Sequence, residues 1–397
     1  MKKIISIVLV IMLLSTGCSF IGHKNEQEPS IQAANQTVNA SASNTAQDSK
    51  AAASATSTNS NGLAMTSGTT AAPTTTSSMV SGNYTDSQIK DLVIDNGAGK
   101  GMAAASDKSN LLITLYYKNQ KGLIIPVTRT VKKQESLAKA AILGLVDEAV
   151  TKEQLDYYGL YPVLPRGTKI KGINIKDKVA VIDFSKEFLN LSGKQEEQEA
   201  VASIVYTLTG FSTVSDVRIR VEGKEITTLE NGTDLSIPRN RSNTLINTSD
   251  TQIKDGCVKC DLYYVSDDSN NHNYLVPVSI QIPQTDPRGI PGLIFDELGK
   301  KPNETTYFTS MPEGTKLLSF NRQGSTAVLD FSNQITNYGG SEKEDTLLNQ
   351  IYYTVSQMKG IQKIKLLING KEKTLPEGTE VASARSVPIT FNKVIEN

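Results

Sequence analysis

Two tandem copies of one α+β module are predicted, each a mixed or antiparallel sheet carrying two helices on one face in the order β-β-α-β-β-α-β. Three observations predict it. A constant offset of 147 positions lays Pro165-Arg166-Gly167-Thr168-Lys169 on Pro312-Glu313-Gly314-Thr315-Lys316, Ala180-Val181-Ile182-Asp183-Phe184-Ser185 on Ala327-Val328-Leu329-Asp330-Phe331-Ser332, Tyr206-Thr207 on Tyr353-Thr354 and Gly223-Lys224-Glu225 on Gly370-Lys371-Glu372. A period this long is a duplicated small domain rather than a solenoid unit. Within each copy, short β-rich runs are interrupted by two segments whose apolar residues recur at helical spacing.

In chain order, residues 1–17 form an export signal: Met1-Lys2-Lys3, an apolar run too short to span a bilayer as a stop-transfer helix, then Leu14-Ser15-Thr16-Gly17-Cys18. That ending resembles a bacterial lipobox, which implies that Cys18 becomes the first mature residue and carries acyl chains. Two or more chains at roughly 0.8 kcal/mol per buried methylene hold a protein firmly on a membrane. The alternative is an ordinary cleaved signal in which Cys18 is discarded. Residues 18–106 are rich in Ser, Thr, Ala, Asn and Gln and poor in aromatic and branched side chains, so a disordered leash is expected, reaching roughly 50 Å as a flexible coil. A weak apolar patch at 89–94 is the only place in it where a transient helix is suggested.

The first module is placed at 107–238. Residues 111–117 and 123–131 read as a hairpin around Lys118-Asn119-Gln120-Lys121-Gly122. Leu137, Ala140, Ala141 and Leu145 mark a helix. The turn Pro165-Arg166-Gly167-Thr168 launches strands at 169–175 and 178–184. Ser192 and Gln195 have capping-box spacing ahead of a helix with Val201, Ile204, Val205 and Leu208 on one stripe. Val217, Ile219 and Val221 then alternate with Arg218, Arg220 and Glu222, a strand with one wet face. After a polar linker at 239–256 the second module, 257–388, repeats the scheme, with Ser341 and Glu344 as its capping box and Leu348, Ile351, Tyr352 and Val355 as its stripe; residues 389–397 are left as a tail. Pro287, Gly289, Pro291 and Gly292 crowd its earlier helix, which is expected to be the shorter of the two.

The strand ending Ile125-Pro126-Val127-Thr128-Arg129, the turn from Leu164 to Lys169, the Ala-Val-Ile-Asp-Phe-Ser strand, the helix ending Tyr206-Thr207-Leu208-Thr209 and the strand Val217-Arg218-Ile219-Arg220-Val221-Glu222-Gly223 together resemble the GerM domain. Two such domains behind a lipoprotein signal are similar to the sporulation and germination lipoproteins of endospore-forming bacteria. The resemblance implies a fold like that of ring-building modules in spore envelopes, no established catalytic residues, no cofactor, and a supporting role in envelope assembly on the outer face of the membrane. The second copy departs from the pattern at Val276-Pro277-Val278-Ser279-Ile280, where Ile280 stands in place of Arg129. Any role of that arginine belongs to the first module.

Few residues permit catalysis. His23 and His272 are the only histidines, and no His-Glu-x-x-His, paired Cys-x-x-Cys or phosphate-binding glycine loop is present, so no metal site is expected. His272, in a polar hairpin tip, reads as a solvated loop residue. Cys257-Val258-Lys259-Cys260 leads into a strand; outside the membrane it reads first as a disulfide, with a thiol-disulfide enzyme or two free thiols as alternatives. Asp183 and Asp330 fall in separate modules and are read as satisfying amides at strand ends rather than as a glycosidase pair. Arg129, Arg218 and Arg220 are the candidate interaction face, with sheet edges or the Tyr-bearing helix faces as contact surfaces. The 41 basic and 41 acidic side chains balance, which gives no reason to expect nucleic acid. The function expected is non-enzymatic: membrane anchoring through Cys18 and binding to envelope proteins of the sporulating cell. The alternative is binding or turnover of peptidoglycan, disfavoured by the absence of tryptophan.

Overall fold

The computed structural model describes residues 94–97, 100, 102–104, 109–268, 272–283, 289–303 and 305–392, all within one compact unit, Thr76–Asn397. Cys18 and residues 19–93 lie outside the described residues.

Both halves fold as mixed α+β units. In the first, β1 (Met102–Ala104) and β3 (Ile124–Lys132) flank β2 (Asn110–Asn119), and β2 also pairs with β4 (Leu160–Tyr161); all three pairings are antiparallel. Between them lie α1 (Leu137–Leu143) and α2 (Ala149–Asp156). A second sheet runs β5 (Ile170–Lys176), β6 (Val179–Phe184), β7 (Asp216–Val221) and β8 (Lys224–Glu225), with β6 and β7 parallel. A parallel pair needs a crossover, supplied by α3 (Lys194–Leu208), which buries Val201, Ile204, Val205 and Leu208 against it. The second half repeats this plan: β9 (Cys257–Asp267) pairs with β10 (Asn273–Pro283), α4 (Ile290–Leu298) follows, and β11 (Leu317–Gln323), β12 (Thr326–Phe331), β13 (Lys363–Ile368) and β14 (Arg385–Ser386) form its four-stranded sheet around α5 (Ser341–Ser356).

Repeated sequence makes repeated local structure. Glu222-Gly223 and Asn369-Gly370 both turn with positive φ, at 52° and 77° and at 51° and 70°. Each Gly N–H donates to a strand-end aspartate, Asp183 at 2.9 Å and Asp330 at 2.8 Å. These aspartates therefore serve the turns.

Several expectations are corrected. The leash was carried to residue 106, yet β1 adds to the first sheet, Ile94 bridges Met358 and the Asp95 N–H donates to the Gln357 carbonyl at 2.9 Å. Residues 149–156, read as a polar segment, form α2, whose weak amphipathic pattern buries only Leu155. The early helix of the second half is longer than its counterpart, nine residues against seven. Its Pro291 sits in the first turn, where a missing N–H breaks no helical bond. Neither capping box forms. Gly193 and Gly340 are the N-caps, the Ser192 N–H donates to Glu196 at 2.9 Å, and Glu344 is committed elsewhere.

That commitment is itself repeated. Glu197 and Glu344 occupy corresponding positions on α3 and α5, and each is only 1 % exposed. Glu197 accepts from the backbone N–H groups of Asn231 and Thr233 at 2.6 and 3.1 Å; Glu344 accepts from those of Glu377 and Thr379 at 2.8 and 3.1 Å. A buried carboxylate must be satisfied by several donors. Here it ties the loop after the last main strand back to the helix.

Candidate functional site

The feature that sets the two halves in fixed relation is a seam where β3 of the first lies beside β10 of the second. The strands are not joined by ladder hydrogen bonds. Pro126 and Pro277, at corresponding places on the two strands, have no N–H to offer. Asparagine side chains close the gap. Asn247 accepts from the Ile124 N–H at 2.7 Å and donates to the carbonyls of Ile124 and Pro277, both at 2.8 Å. Asn392 accepts from the Leu275 N–H at 2.9 Å and donates to the carbonyls of Leu275 at 2.8 Å and Pro126 at 2.9 Å. The residues just before them extend the exchange. Ile246 and Ser279 bond reciprocally, as do Phe391 and Thr128.

The seam thus has an internal twofold correspondence. One small apolar cluster holds Tyr116, Ile124, Tyr206 and Ile246; its mate holds Tyr263, Leu275, Tyr353 and Phe391. The ring pairs Tyr116–Tyr206 and Tyr263–Tyr353 sit 5.2 and 5.4 Å apart. Even the hairpin tips meet at equivalent positions, with the Asn119 carboxamide donating to the Ser266 hydroxyl at 3.2 Å. The linker is therefore built into the interface, and so is the tail at 391–392.

Charge breaks the symmetry. Lys259 and Asp261 stand on β9 where β2 has Leu112 and Thr114. The Lys259 ammonium donates to both Asp261 oxygens at 2.7 and 2.8 Å and to the Tyr206 hydroxyl at 2.7 Å; that hydroxyl donates to Asp261 at 2.6 Å, and Ser279 donates to it at 2.7 Å. Burial lowers the Lys259 pKa and raises that of Tyr206. Arg241 is also buried. Its guanidinium lies 4.7 Å from the Tyr206 ring centroid and donates to Thr209 and to the carbonyls of Asn96 and Tyr206 at 2.9, 3.0 and 2.8 Å. Lys259, Tyr206 and Ser279 spend their donors on one another and on Asp261, so the group locks the seam rather than awaiting a substrate.

Beside the seam opens a cleft of about 790 Å³, walled by the β2–β3 turn, the first half of α3 and residues 243–253, with Thr306 and Tyr307 contributed from the second half. Its lining mixes amides and hydroxyls with side chains of both charges, Lys121, Lys194 and Arg239 against Glu199, Asp234 and Asp250. No group of three or more His, Cys, Asp or Glu side chains able to hold a metal occurs among the described residues.

The residues singled out in the sequence do not form one site. Arg129 is 7 % exposed and inside the first half, donating to the Tyr117 hydroxyl at 3.1 Å and to Gln154 at 2.8 Å, so it is no part of an interaction face. Arg218 and Arg220 lie on β7 in a different sheet, and Arg220 pairs with Glu225 at 3.1 Å. The Tyr-bearing helix faces are spent in the seam. Cys257 and Cys260 are free thiols rather than a disulfide, because three steps along an extended strand point them to opposite faces and separate them by about 10 Å, beyond the ~7 Å reach of a bridge. Burial pushes the Cys260 thiol up, the opposite of what a redox nucleophile needs. His272 is more enclosed than a solvated tip residue. Its Nδ1 lies 2.7 Å from the buried Asp268 carboxylate, and the rings of Tyr157, Tyr158 and Tyr274 surround it.

Sequence reasoning missed the seam. Glu197 and Glu344 obey the repeat, which marks them as equivalent, but Glu344 was read as a capping residue and the burial of both went unseen. Asn247 and Asn392 are 145 apart, out of register with the repeat, and Arg241 lies in a polar linker with no periodicity to mark it.

Comparison with known proteins gives a consistent picture. The family model Germane, described as sporulation and spore germination, matches residues 114–227 and 261–374. The spore germination protein GerM of Bacillus subtilis (strain 168) is 28% identical over 294 residues, covering 72% of this chain and 79% of that protein. The solved tandem GerMN domains of the sporulation protein GerM from Bacillus subtilis superpose with a TM-score of 0.62 at 28% identity, covering 71% of this chain and 99% of that one.

Proposed function

This chain belongs to the Germane family of sporulation and spore germination proteins, and from that premise we propose that it is a non-enzymatic lipoprotein. In this reading Cys18 anchors it to the outer face of the cell membrane, facing the intermembrane space of the sporulating cell, where it supports envelope assembly by binding other envelope proteins. The observation that carries the reading is the seam. It joins two copies of one module into a single body through buried polar contacts, so surfaces on both copies are offered to partners at a fixed spacing. With the helix tyrosines enclosed, the strands left at the ends of their sheets, β5 and β11, are the natural contact edges.

Crosslinking the full chain in living cells at successive stages of sporulation, followed by mass spectrometry, tests this. Defined envelope proteins, captured by the wild type and lost when Cys18→Ala releases the chain from the membrane, are the expected result. Capture of wall glycan alone, together with glycan cleavage by the purified chain that Asp183→Asn or Asp330→Asn abolishes, would replace the reading with an enzymatic one.

A further inference from the structure

The two halves carry different charge at one corresponding corner. In the second half the β11–β12 turn, the loop after α5 and the start of β13 come together. The N–H groups of Gln362 and Lys363 both donate to the Ser325 carbonyl, at 2.8 and 3.1 Å. The Arg322 guanidinium lies against Gly360, and its Nε donates to the Gly324 carbonyl at 2.9 Å. Arg322, Lys359 and Lys363 therefore share this corner, and residues 322–325 and 359–363 include no acid. The first half builds the same corner, with the N–H groups of Ser215 and Asp216 donating to the Lys178 carbonyl at 2.7 and 3.1 Å. There the charges cancel, Lys176 and Lys178 against Asp177 and Asp216, and Ile175 and Ser212 stand in place of Arg322 and Lys359.

The basic corner is also where the chain enters the fold. Ile94 bridges Met358, the Asp95 N–H donates to the Gln357 carbonyl at 2.9 Å, and the Lys100 ammonium donates to the Ser356 carbonyl. Whatever precedes Ile94 thus joins the molecule beside Lys359. None of Arg322, Lys359 and Lys363 has a carboxylate within salt-bridge distance among the described residues. Asp95 does stand near Lys359, but it is half-buried, accepts from the Gly97 N–H at 2.9 Å and also faces Lys100 and Arg241. On the other side Arg385, opposite Ile364 on β14, adds a cation beside Glu380, so the corner stays positive after its acids are counted.

We infer that this corner is a membrane-facing surface, a basic patch that meets the anionic phospholipid headgroups of the bilayer to which the chain is tethered. The inference rests on the reading that Cys18 anchors the chain. As a flexible coil, the segment behind Ile94 lets the fold move roughly 50 Å from that anchor, whereas an exposed charge senses a surface only within a Debye length, about 8 Å at physiological salt. Each Lys or Arg held at an anionic surface favours the bound state about fivefold, and three together about a hundredfold. That is weak for a free protein and sufficient for one whose tether keeps its local concentration high. The position of the patch decides the partner. A soluble polyanion would meet the same charges, but only the membrane is delivered to this corner by the chain itself.

The test uses the mature chain made without acyl groups, from residue 19 onward, so that only protein surface can bind. Its co-sedimentation with phosphatidylglycerol vesicles is compared with that on phosphatidylcholine vesicles at low and at physiological salt. A preference for phosphatidylglycerol that salt weakens is expected. Arg322→Gln, Lys359→Gln and Lys363→Gln should each lower that partition about fivefold, and the triple variant about a hundredfold, to the phosphatidylcholine level. Lys176→Gln with Lys178→Gln, at the neutral corner of the first half, should change it by no more than about twofold, since screening confines each charge to its own surroundings. Unaltered urea midpoints would show that every variant is folded. Equal binding to the two lipids, a triple variant that binds like the wild type, or an equal loss from the first-half pair overturns the assignment. Soluble poly(glycerol phosphate) that binds as tightly as the vesicles overturns the membrane as partner and puts a wall polymer in its place. None of these failures touches the anchor, which is read separately, by release of the Cys18→Ala chain in cells.

Discussion

Asn247 and Asn392 make the same three hydrogen bonds in opposite senses across the seam, each holding an N–H and a carbonyl of one edge strand and a proline carbonyl of the other. Both adopt positive φ, 52° and 40°, a conformation asparagine tolerates better than other residues with a side chain. Side chain and backbone are therefore selected together.

Replacing Asn247 with Ala removes three partly buried hydrogen bonds, leaves the Pro277 carbonyl without its donor and places a Cβ-bearing residue with no polar group at positive φ. At about 0.5–1.5 kcal/mol per bond, a loss of about 2–4 kcal/mol is expected. Asn247→Gly relieves the backbone and loses only the side-chain part, so it should fall between the two. Urea unfolding of the three chains checks the order, and Asn392 should give the same ranking if the correspondence is energetic as well as geometric.

The Lys259–Asp261 pair invites a replacement drawn from the molecule itself. Removing one partner strands a charge in the interior, which costs about 3–5 kcal/mol, so Asp261→Asn should destabilise strongly. Lys259→Leu combined with Asp261→Thr copies Leu112 and Thr114 from the first half. Buried ion pairs exchanged for packed neutral groups are often neutral or stabilising by about 1–4 kcal/mol, and the double variant should unfold at or above the wild-type urea midpoint. A double variant weaker than Asp261→Asn would show that the pair supplies net stability.

The repeat explains what was legible in the sequence. Where one copy was ambiguous the other resolved it, so the strands at 169–175 and 178–184 emerged within a residue of β5 and β6, and both helix stripes are buried as expected. Periodicity reports on residues that face their own module's core. It says nothing about Arg241 or Asn392, whose partners belong to other segments and whose positions follow no period. The same limit hid α2: with Val150 and Tyr157 exposed and only Leu155 buried, there is too little apolar stripe to detect.

Thiol chemistry separates the two cysteines. Cys257 is half-buried near the start of β9, and Cys260 is buried with its thiol pushed up by desolvation. Only the thiolate reacts quickly. Iodoacetamide on the folded chain should label Cys257 while sparing Cys260, and both should label in denaturant without prior reduction. Mass spectrometry that found both protected until a reductant was added would restore the disulfide.

Glu344 gives the fold an acid-sensitive tie. Burial alone would raise its pKa, but hydrogen bonds from Thr379, from the Glu377 N–H and from the Tyr338 hydroxyl at 2.7 Å outweigh that and hold it below the ordinary 4.5. A carboxyl depressed in the folded state contributes its full stabilisation above the unfolded value and loses it as pH falls through the folded one. Glu344→Gln turns an acceptor oxygen into a donor facing other donors, for an expected loss of about 2 kcal/mol at pH 7. The gap between variant and wild type should hold constant from pH 7 to about pH 5 and shrink below 4.5, as the wild-type carboxylate takes up its proton and loses its advantage. Urea midpoints measured across that range read the effect directly. A gap that stayed the same to pH 3 would mean that the shape of the side chain, not its charge, ties the loop at 377–379 to α5.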